Sequence, residues 1–456
     1  MMATYFAYSM TSDDQSVFIP GDTSHGHYQI ELKCKTCHGD SFGGKESLQK
    51  SCVKCHGKEL KEADDKHPKS KFTDPRNADR TAILDARYCI TCHVEHKPEI
   101  TREMGVTVTA DVCYLCHKDI AKDRKSHKDM AFDTCDSAGC HNFHDNRALY
   151  EDYLVKHQNE ENTYSAAVVK SRTSAQTLTS LDTYPSDKFP FKRLTEADKD
   201  ATKSLLNEQL IIEDWHQTTH AKSGVNCSGC HLVKEKPSST AVWVEKPGFQ
   251  VCEQCHSQQA KTFLEGRHGM RLAQNLSPMQ PAMARQPMRK QANDKKLNCI
   301  SCHSSHKFDV EHAAVDACLS CHNDKHSLAY KDSSHYQLWL KASSDDQLVD
   351  TGVSCATCHM PRKSYKDGGR DIVFVLHNQN DNLRPNEKMI RSVCMNCHGL
   401  GFAIDALADK NLVANNFKGK PEKHITSIEM AQKYAEQKRK EKKAKLGDKM
   451  RNDGFL

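Results

Sequence analysis

The stretch Cys299-Ile-Ser-Cys302-His303-Ser-Ser-His306 decides how this chain is built. Cys-x-x-Cys-His is the attachment signature of c-type haem, and residues i, i+3 and i+4 share one face of a helical turn. The two thiols can therefore bond the two vinyl groups of one porphyrin while His303 binds its iron from the same side. His306 cannot reach the opposite face of that ring, so we expect it to bind the iron of a neighbouring haem.

The same motif recurs along the whole chain. Ten copies have the two-residue spacing, and an eleventh, Cys135-Asp-Ser-Ala-Gly-Cys140-His141, has four residues between its cysteines. Zinc ribbons also use Cys-x-x-Cys pairs, but they need no histidine after each second cysteine. Because the eleven motifs use all 22 cysteines, we predict eleven covalently bound haem c groups. The predicted attachment residues are Cys34 and Cys37, Cys52 and Cys55, Cys89 and Cys92, Cys113 and Cys116, Cys135 and Cys140, Cys227 and Cys230, Cys252 and Cys255, Cys299 and Cys302, Cys318 and Cys321, Cys355 and Cys358, and Cys394 and Cys397.

The histidines divide into two sets. Of the 27 histidines, eleven end a motif and sixteen do not, so there are enough to give every iron a second histidine. The predicted proximal ligands are His38, His56, His93, His117, His141, His231, His256, His303, His322, His359 and His398. The predicted distal ligands are His27, His67, His96, His127, His144, His220, His268, His306, His326, His335 and His377.

Some choices among these histidines stay open. His25 is an alternative to His27, His216 is an alternative to His220, and His312 is a further candidate in the second half of the chain. His157 and His424 stand apart from the motifs, and we predict that they are ordinary surface residues.

Composition predicts that haem takes the place of a protein core. Only 37% of the residues are hydrophobic, and the mean hydropathy is −0.74, which is poor for a core made of side chains alone. Covalently attached porphyrins would supply the missing apolar volume. We therefore predict a mainly α fold with much irregular coil and little or no β-sheet, packed around haem in two modules, which does not fold without its cofactor.

Motif spacing divides the chain into segments. We predict a lead-in over 1–24, a five-haem module over 25–150, a linker and the start of a helix over 151–205, a six-haem module over 206–405 and a basic helical tail over 406–456. The capping pattern that begins at Thr195 predicts a helix that continues towards Trp215, and the pattern that begins at Thr426 predicts the helix of the tail.

Residues 25–147 resemble the class III cytochromes c. Five attachment sites lie close together there, with a histidine between or just after most of them. The resemblance implies a small haem cluster with bis-histidine irons and almost no regular secondary structure.

Residues 216–400 resemble the superfamily of octahaem hydroxylamine oxidoreductases and multihaem nitrite reductases. His326 follows a motif closely, His335 precedes Trp339, and Met360 follows Cys355-Ala-Thr-Cys358-His359. The run from His377 to His398 is similar to that family's last haem segment. This region has six haem sites where the family usually carries eight, and it lacks the Cys-x-x-Cys-Lys motif that marks the active haem of pentahaem nitrite reductases.

Two functions are compatible with these features. An iron that already has two histidine ligands has no free coordination position for a substrate. The first function is therefore electron transfer between redox partners. The second is an oxidoreductase with one open haem acting on a small nitrogen or sulfur compound, such as hydroxylamine, nitrite, tetrathionate or sulfite. The surplus of histidines favours electron transfer.

Haem chemistry also predicts location and partners. Covalent haem is attached outside the cytoplasm, so we expect a periplasmic or cell-surface protein whose export signal or anchor is missing from Met1–Met10. The expected partners are redox protein donors and acceptors, including a membrane quinol dehydrogenase. The formal charge of +5 is outweighed by two propionates on each haem, so nucleic acid is not an expected partner. Self-association into a filament, and membrane contact through a lost anchor or the basic tail, are compatible with this interpretation.

Overall fold

The structure of the chain is a computed structural model. It describes residues 8–9, 11–12, 16–39, 44–63, 67–109, 111–124, 127–128, 142–144, 151–161, 184–201, 204, 209–234, 238–307, 309–344, 351–367, 369–383 and 387–452. The widened motif from Cys135 to His141 lies outside these residues.

The described residues form mostly short helices joined by irregular segments, which confirms the predicted fold class. In chain order the helices are α1 (Cys34–His38), α2 (Gly44–Glu62), α3 (Lys69–Thr73), α4 (Ala78–Ile83), α5 (Val112–His117), α6 (Ile120–Asp123), α7 (Glu151–His157), α8 (Gln209–Gln217), α9 (Thr219–Lys222), α10 (Cys227–His231), α11 (Gln250–Glu253), α12 (Ser257–Glu265), α13 (Met270–Ala273), α14 (Val310–Ala314), α15 (Asp316–Leu319), α16 (Lys325–Ala329), α17 (Ser334–Ser344), α18 (Cys355–His359), α19 (Asn380–Leu383), α20 (Lys388–Ser392), α21 (Leu400–Ala408), α22 (Lys410–Ala414) and α23 (Ser427–Asn452).

Two small antiparallel hairpins and several short 3₁₀ helices complete the regular structure of the described residues. Strands β1 (Leu232–Val233) and β2 (Val242–Trp243) form the first hairpin. Strands β3 (Arg362–Asp367) and β4 (Arg370–Val375) form the second, with Arg362 opposite Val375. Each hairpin ends beside a histidine that the sequence predicts to bind iron.

The chain divides into two compact units. The first unit contains Met1–Thr163, Pro385–Leu412 and Gly419–Leu456, and the second contains Tyr164–Arg384 and Val413–Lys418. The motif Cys394–His398 therefore belongs to the first unit, although its spacing in the sequence assigned it to the six-haem module.

Side-chain contacts explain this placement of the last motif. The Tyr153 hydroxyl donates a hydrogen bond to the sulfur of Met395 over 2.9 Å, and the Arg391 guanidinium lies 3.5 Å from the centre of the Tyr153 ring. Contacts between segments so far apart in the sequence cannot be predicted from the spacing of the motifs.

The predicted single helix from Thr195 to Trp215 is wrong. Thr195 and Asp198 do form the predicted capping box, but it begins only a 3₁₀ turn over Glu196–Asp198. Lys199 then adopts φ −57° and ψ 133°, outside the helical region. The helix that contains Trp215 begins separately at Gln209.

The C-terminal helix is confirmed. Helix α23 begins at Ser427, directly after Thr426, and continues for 26 residues. It packs against α7 within the first unit. No helix among the described residues is long and apolar enough to cross a membrane.

Buried apolar side chains form small clusters in the part of the chain that the structure describes. In the first unit, α21 buries Leu400, Ile404 and Leu407. In the second unit, Val315, Leu319 and Tyr330 form a cluster against which Trp339 packs. Clusters of this size agree with the low hydrophobic content of the sequence.

Candidate haem-binding sites

The described motifs lie on helical turns. Three of them form α1, α10 and α18, and the turns over Cys89–Thr91, Cys299–Ser301 and Cys394–Asn396 are 3₁₀ helices. A capping side chain precedes several of them: Asn226 accepts a hydrogen bond from the N–H of Cys227, and Ser354 accepts one from Thr357. Local hydrogen bonding therefore starts the turn at the first cysteine and brings both thiols and the histidine to one face.

Histidine rings meet in pairs beside these turns. In nine pairs a motif histidine faces a histidine from outside the motifs, with ring centroids 5.9 to 6.4 Å apart. The pairs are His56 with His27, His38 with His96, His117 with His67, His93 with His144, His256 with His220, His231 with His306, His322 with His268, His303 with His377, and His359 with His326.

The spacing of these pairs fits two axial ligands of one iron. A first-row metal about 2.0 Å from one nitrogen of each ring would hold the two centroids roughly 6 Å apart. Ordinary aromatic packing also occurs at about 4.5 to 7 Å. Packing alone, however, would not select one motif histidine and one other histidine in all nine pairs.

Hydrogen bonds orient many of these rings. In six of them Nδ1 faces a backbone carbonyl, and because a carbonyl oxygen only accepts, Nδ1 must carry the proton. Nε2 then keeps its lone pair, which is the arrangement that a metal ligand requires. The bonds join His93 to Gly105 (3.1 Å), His96 to Gly21 (2.7 Å), His67 to Phe143 (2.7 Å), His231 to Val244 (2.8 Å), His377 to Val375 (2.8 Å) and His326 to Val413 (2.5 Å).

The two hairpins supply two of these carbonyls. Val244 directly follows β2, and its N–H also bonds the carbonyl of His231 over 2.8 Å. Val375 ends β4 and accepts from His377, two residues further on. The β-structure thus sets the orientation of two rings that the sequence predicts as ligands.

Burial keeps several of the paired rings neutral. It lowers the pKa of His256, His268 and His359 to about 4 in each case. An imidazolium has no lone pair to offer, so only the neutral ring can bind a metal. At neutral pH these three rings are in that form.

Two carboxylates beside histidines were not predicted from the sequence. Glu95 lies 2.6 Å from Nδ1 of His27, and Glu59 lies 3.3 Å from Nδ1 of His56. Although burial raises the pKa of Glu95, hydrogen bonds from His27 and Ser24 lower it to about 2. Glu59 stands three residues after His56 on α2, a spacing that could have drawn attention to it, whereas Glu95 is 68 residues from His27.

The three histidines that follow a motif histidine by three residues all face another motif. His96 lies against His38, His144 against His93, and His306 against His231. His303 pairs separately with His377. This is the arrangement expected if each of these histidines binds the iron of a haem other than the one attached to the motif just before it.

The structure also separates the alternatives left by the sequence. His27 lies against a motif histidine, whereas the ring of His25 contacts Tyr28. His220 likewise faces His256, whereas Nδ1 of His216 lies 3.4 Å from Glu196. Of each two alternatives, the one that faces a motif histidine is therefore His27 in the first unit and His220 in the second.

Other predicted ligands have different surroundings. The ring of His335 lies 6.1 Å from that of Phe417, and the ring of His398 stacks on Phe402 at 4.7 Å. His127 is half-buried, and His141 lies outside the described residues. The ligand roles of these four histidines, like those of all the other named histidines, stay predictions.

The two histidines predicted to lie on the surface both contact carboxylates. Both ring nitrogens of His424 are engaged, by Asp405 at 3.0 Å and by Glu429 at 3.1 Å. Nδ1 of His157 contacts Glu160.

In three places the first cysteines of two successive motifs contact each other. The side chains of Cys52 and Cys89 are in hydrogen-bonding contact in the first unit. In the second unit the same contact joins Cys252 to Cys299 and Cys318 to Cys355. These contacts place attachment sites next to each other in chain order.

The motif turns and the nine histidine pairs define the class of protein: this chain is a multihaem c-type cytochrome. The model of the cytochrome c3 family matches residues 26–118 and 219–310. These two segments hold four and three of the motifs, so one haem-binding pattern occurs in both units. Residues 311–400, which contain much of the resemblance to the octahaem superfamily, lie outside both matched segments. No curated protein matches the chain.

Proposed function

We propose that this chain is an electron-transfer cytochrome with eleven haems, whose irons are closed by a motif histidine and a second histidine. The nine histidine pairs carry this proposal, since each offers two imidazoles at the separation that one iron requires. Haem supplies one-electron chemistry that needs no substrate on the metal. The two cysteines of each motif would hold one haem, and the paired histidines would bind its iron from both sides.

The anchored rings suit electron transfer in particular. A ring whose Nδ1 is tied to a carbonyl, as in His96 and His377, has little freedom to turn or leave. A ligand set that stays in place lets the oxidation state change with little rearrangement. The chain thereby favours rapid transfer over the ligand exchange that catalysis on iron would need.

Contacts between cysteines suggest the order of the sites in the second unit. Cys230 and Cys252 lie close enough to interact electrostatically, as do Cys302 and Cys318. Together with the direct contacts Cys252–Cys299 and Cys318–Cys355, they link five motifs in chain order. We take this as the order in which electrons pass, from the site of Cys227 to that of Cys355 or in reverse.

The cofactor determines the expected location and partners. Because haem is attached covalently outside the cytoplasm, we expect this chain to be located in the periplasm or at the cell surface. Redox proteins that dock at the outer sites would deliver and remove electrons.

Spin state tests the proposed function directly. We expect the oxidised protein to be fully low-spin, and the reduced protein to bind far less than one equivalent of carbon monoxide, because histidines occupy both axial positions. Magnetic circular dichroism and a carbon monoxide titration measure the two quantities. One equivalent of bound carbon monoxide with a matching high-spin signal would instead support an oxidoreductase with one open haem.

Intact-protein mass spectrometry tests the number of haems. We expect eleven additions, one of them at the widened motif, because its cysteines and His141 complete the set. A variant with Cys135 and Cys140 replaced by alanine should lose one addition and keep the other ten. Ten additions in the unaltered protein, with free thiols at these two positions, would contradict the prediction.

A further inference from the structure

One histidine pair in the first unit has a carboxylate behind each ring. His27 and His56 face each other with centroids 5.9 Å apart. Nδ1 of His27 lies 2.6 Å from Oε1 of Glu95, and Nδ1 of His56 lies 3.3 Å from Oε2 of Glu59. A carboxylate oxygen accepts hydrogen bonds, so each ring donates its Nδ1 proton away from its partner.

The carboxylate of Glu95 is held in place by further bonds. The N–H of Ser24 donates to its Oε2 over 2.6 Å, and the Ser24 hydroxyl donates to its Oε1 over 2.9 Å. Glu59 is positioned by helix α2, where it stands three residues after His56 and on the same face. Both carboxylates are therefore built into the site by the fold around it.

This pair differs from the other anchored rings. Six other paired histidines donate Nδ1–H to neutral backbone carbonyls. The nearest comparable case is His322, whose Nδ1 lies 3.8 Å from Asp324, beyond hydrogen-bond distance. Among the pairs with both rings described, His27 with His56 has a carboxylate within hydrogen-bond distance of each ring.

We infer that Glu95 and Glu59 lower the reduction potential of the haem attached to Cys52 and Cys55, placing it at the low-potential end of the first unit. A carboxylate that accepts the Nδ1 proton makes the imidazole a stronger electron donor through Nε2. Stronger donation stabilises ferric over ferrous iron, and axial ligands and their hydrogen bonds are known determinants of haem potential. The inference rests on the proposed ligation by His27 and His56.

The test replaces each carboxylate by the amide of the same shape. Glu95→Gln and Glu59→Gln keep an oxygen acceptor at each ring but remove its charge. In a redox titration, we expect each variant to raise the lowest reduction potential among the haems of the first unit. The double variant should raise it further. The electron paramagnetic resonance signal of one low-spin haem should shift in parallel, since the ligand field of that iron changes.

A matched control separates the hydrogen bond from charge in general. Glu62 lies one turn beyond Glu59 on α2 and forms an ion pair with Lys58 at 3.8 Å. Glu62→Gln removes the same charge from the same helix without touching either ring. We expect its titration and its spectrum to match those of the unaltered protein.

The outcomes distinguish this inference from the proposed function. A high-spin iron in the unaltered protein that His27→Ala leaves unchanged would show that the ligation itself is wrong. A fully low-spin double variant whose titration superimposes on that of the unaltered protein would overturn the role of the carboxylates alone. An equal shift in Glu62→Gln would also overturn it. Because Glu59 is partly exposed on its helix, Glu59→Gln tests the inference even if Glu95→Gln fails to fold.

Discussion

Replacing His306 by alanine is expected to leave one iron without its second histidine, and that iron should be the one that His231 is proposed to bind, not the one proposed for His303. The two rings of His306 and His231 lie 5.9 Å apart and nearly parallel, at 12°. Removing one imidazole leaves an axial position empty, so we expect one haem to become high-spin and to bind one equivalent of carbon monoxide. Magnetic circular dichroism and a carbon monoxide titration of the His306→Ala variant measure this change.

A second variant shows which iron has been opened. His377 lies against His303, so His377→Ala should open a different haem, and the double variant should bind two equivalents. His312, the further candidate in this half of the chain, is exposed on α14 and belongs to none of the nine pairs. His312→Ala is therefore the matched control, and we expect it to leave the spectrum and the carbon monoxide binding unchanged. A single equivalent in the double variant, or a fully low-spin His306→Ala protein, would disprove the assignment.

Without haem, the chain is expected not to fold. Among the described residues, thirty hydrophobic side chains are buried and nine of these are alanines, which is few for a chain of this length. Ordering each residue costs about 1 to 2 kcal/mol of conformational entropy, and clusters this small cannot offset that. Apoprotein made without haem attachment should show weak helical circular dichroism and no cooperative thermal transition.

A partial loss of haem gives the control for this experiment. A variant with Cys227 and Cys230 replaced by alanine lacks one attachment site and should still unfold cooperatively, at a lower temperature than the intact protein. Differential scanning calorimetry compares the two. A cooperative transition in the apoprotein would show that side chains alone form a sufficient core, contrary to the composition of the chain.

Features that depend on residues close together in the sequence, such as the haem-attachment turns, could be predicted from the sequence. A motif places its cysteines and histidine within one helical turn, and turns such as Cys227–His231 form as the spacing requires. The count of histidines also predicted a second ring for each iron. The helix predicted from Thr195 failed because a local capping signal starts a turn but cannot sustain it without a packed face.

Which rings meet was decided by the tertiary structure. His27, and not His25, lies at His56, and its ring is in contact with Glu95, which is 68 residues away. His96 is likewise held by the carbonyl of Gly21, 75 residues away. By itself the sequence determined the kind of cofactor, haem c, because it follows from short-range motif spacing. The attachment residues and the kind of second ligand are predictions from the same spacing and from the count of histidines. The partners of each ring and the carboxylates behind His27 and His56 depend on contacts between distant segments, which only the folded chain creates.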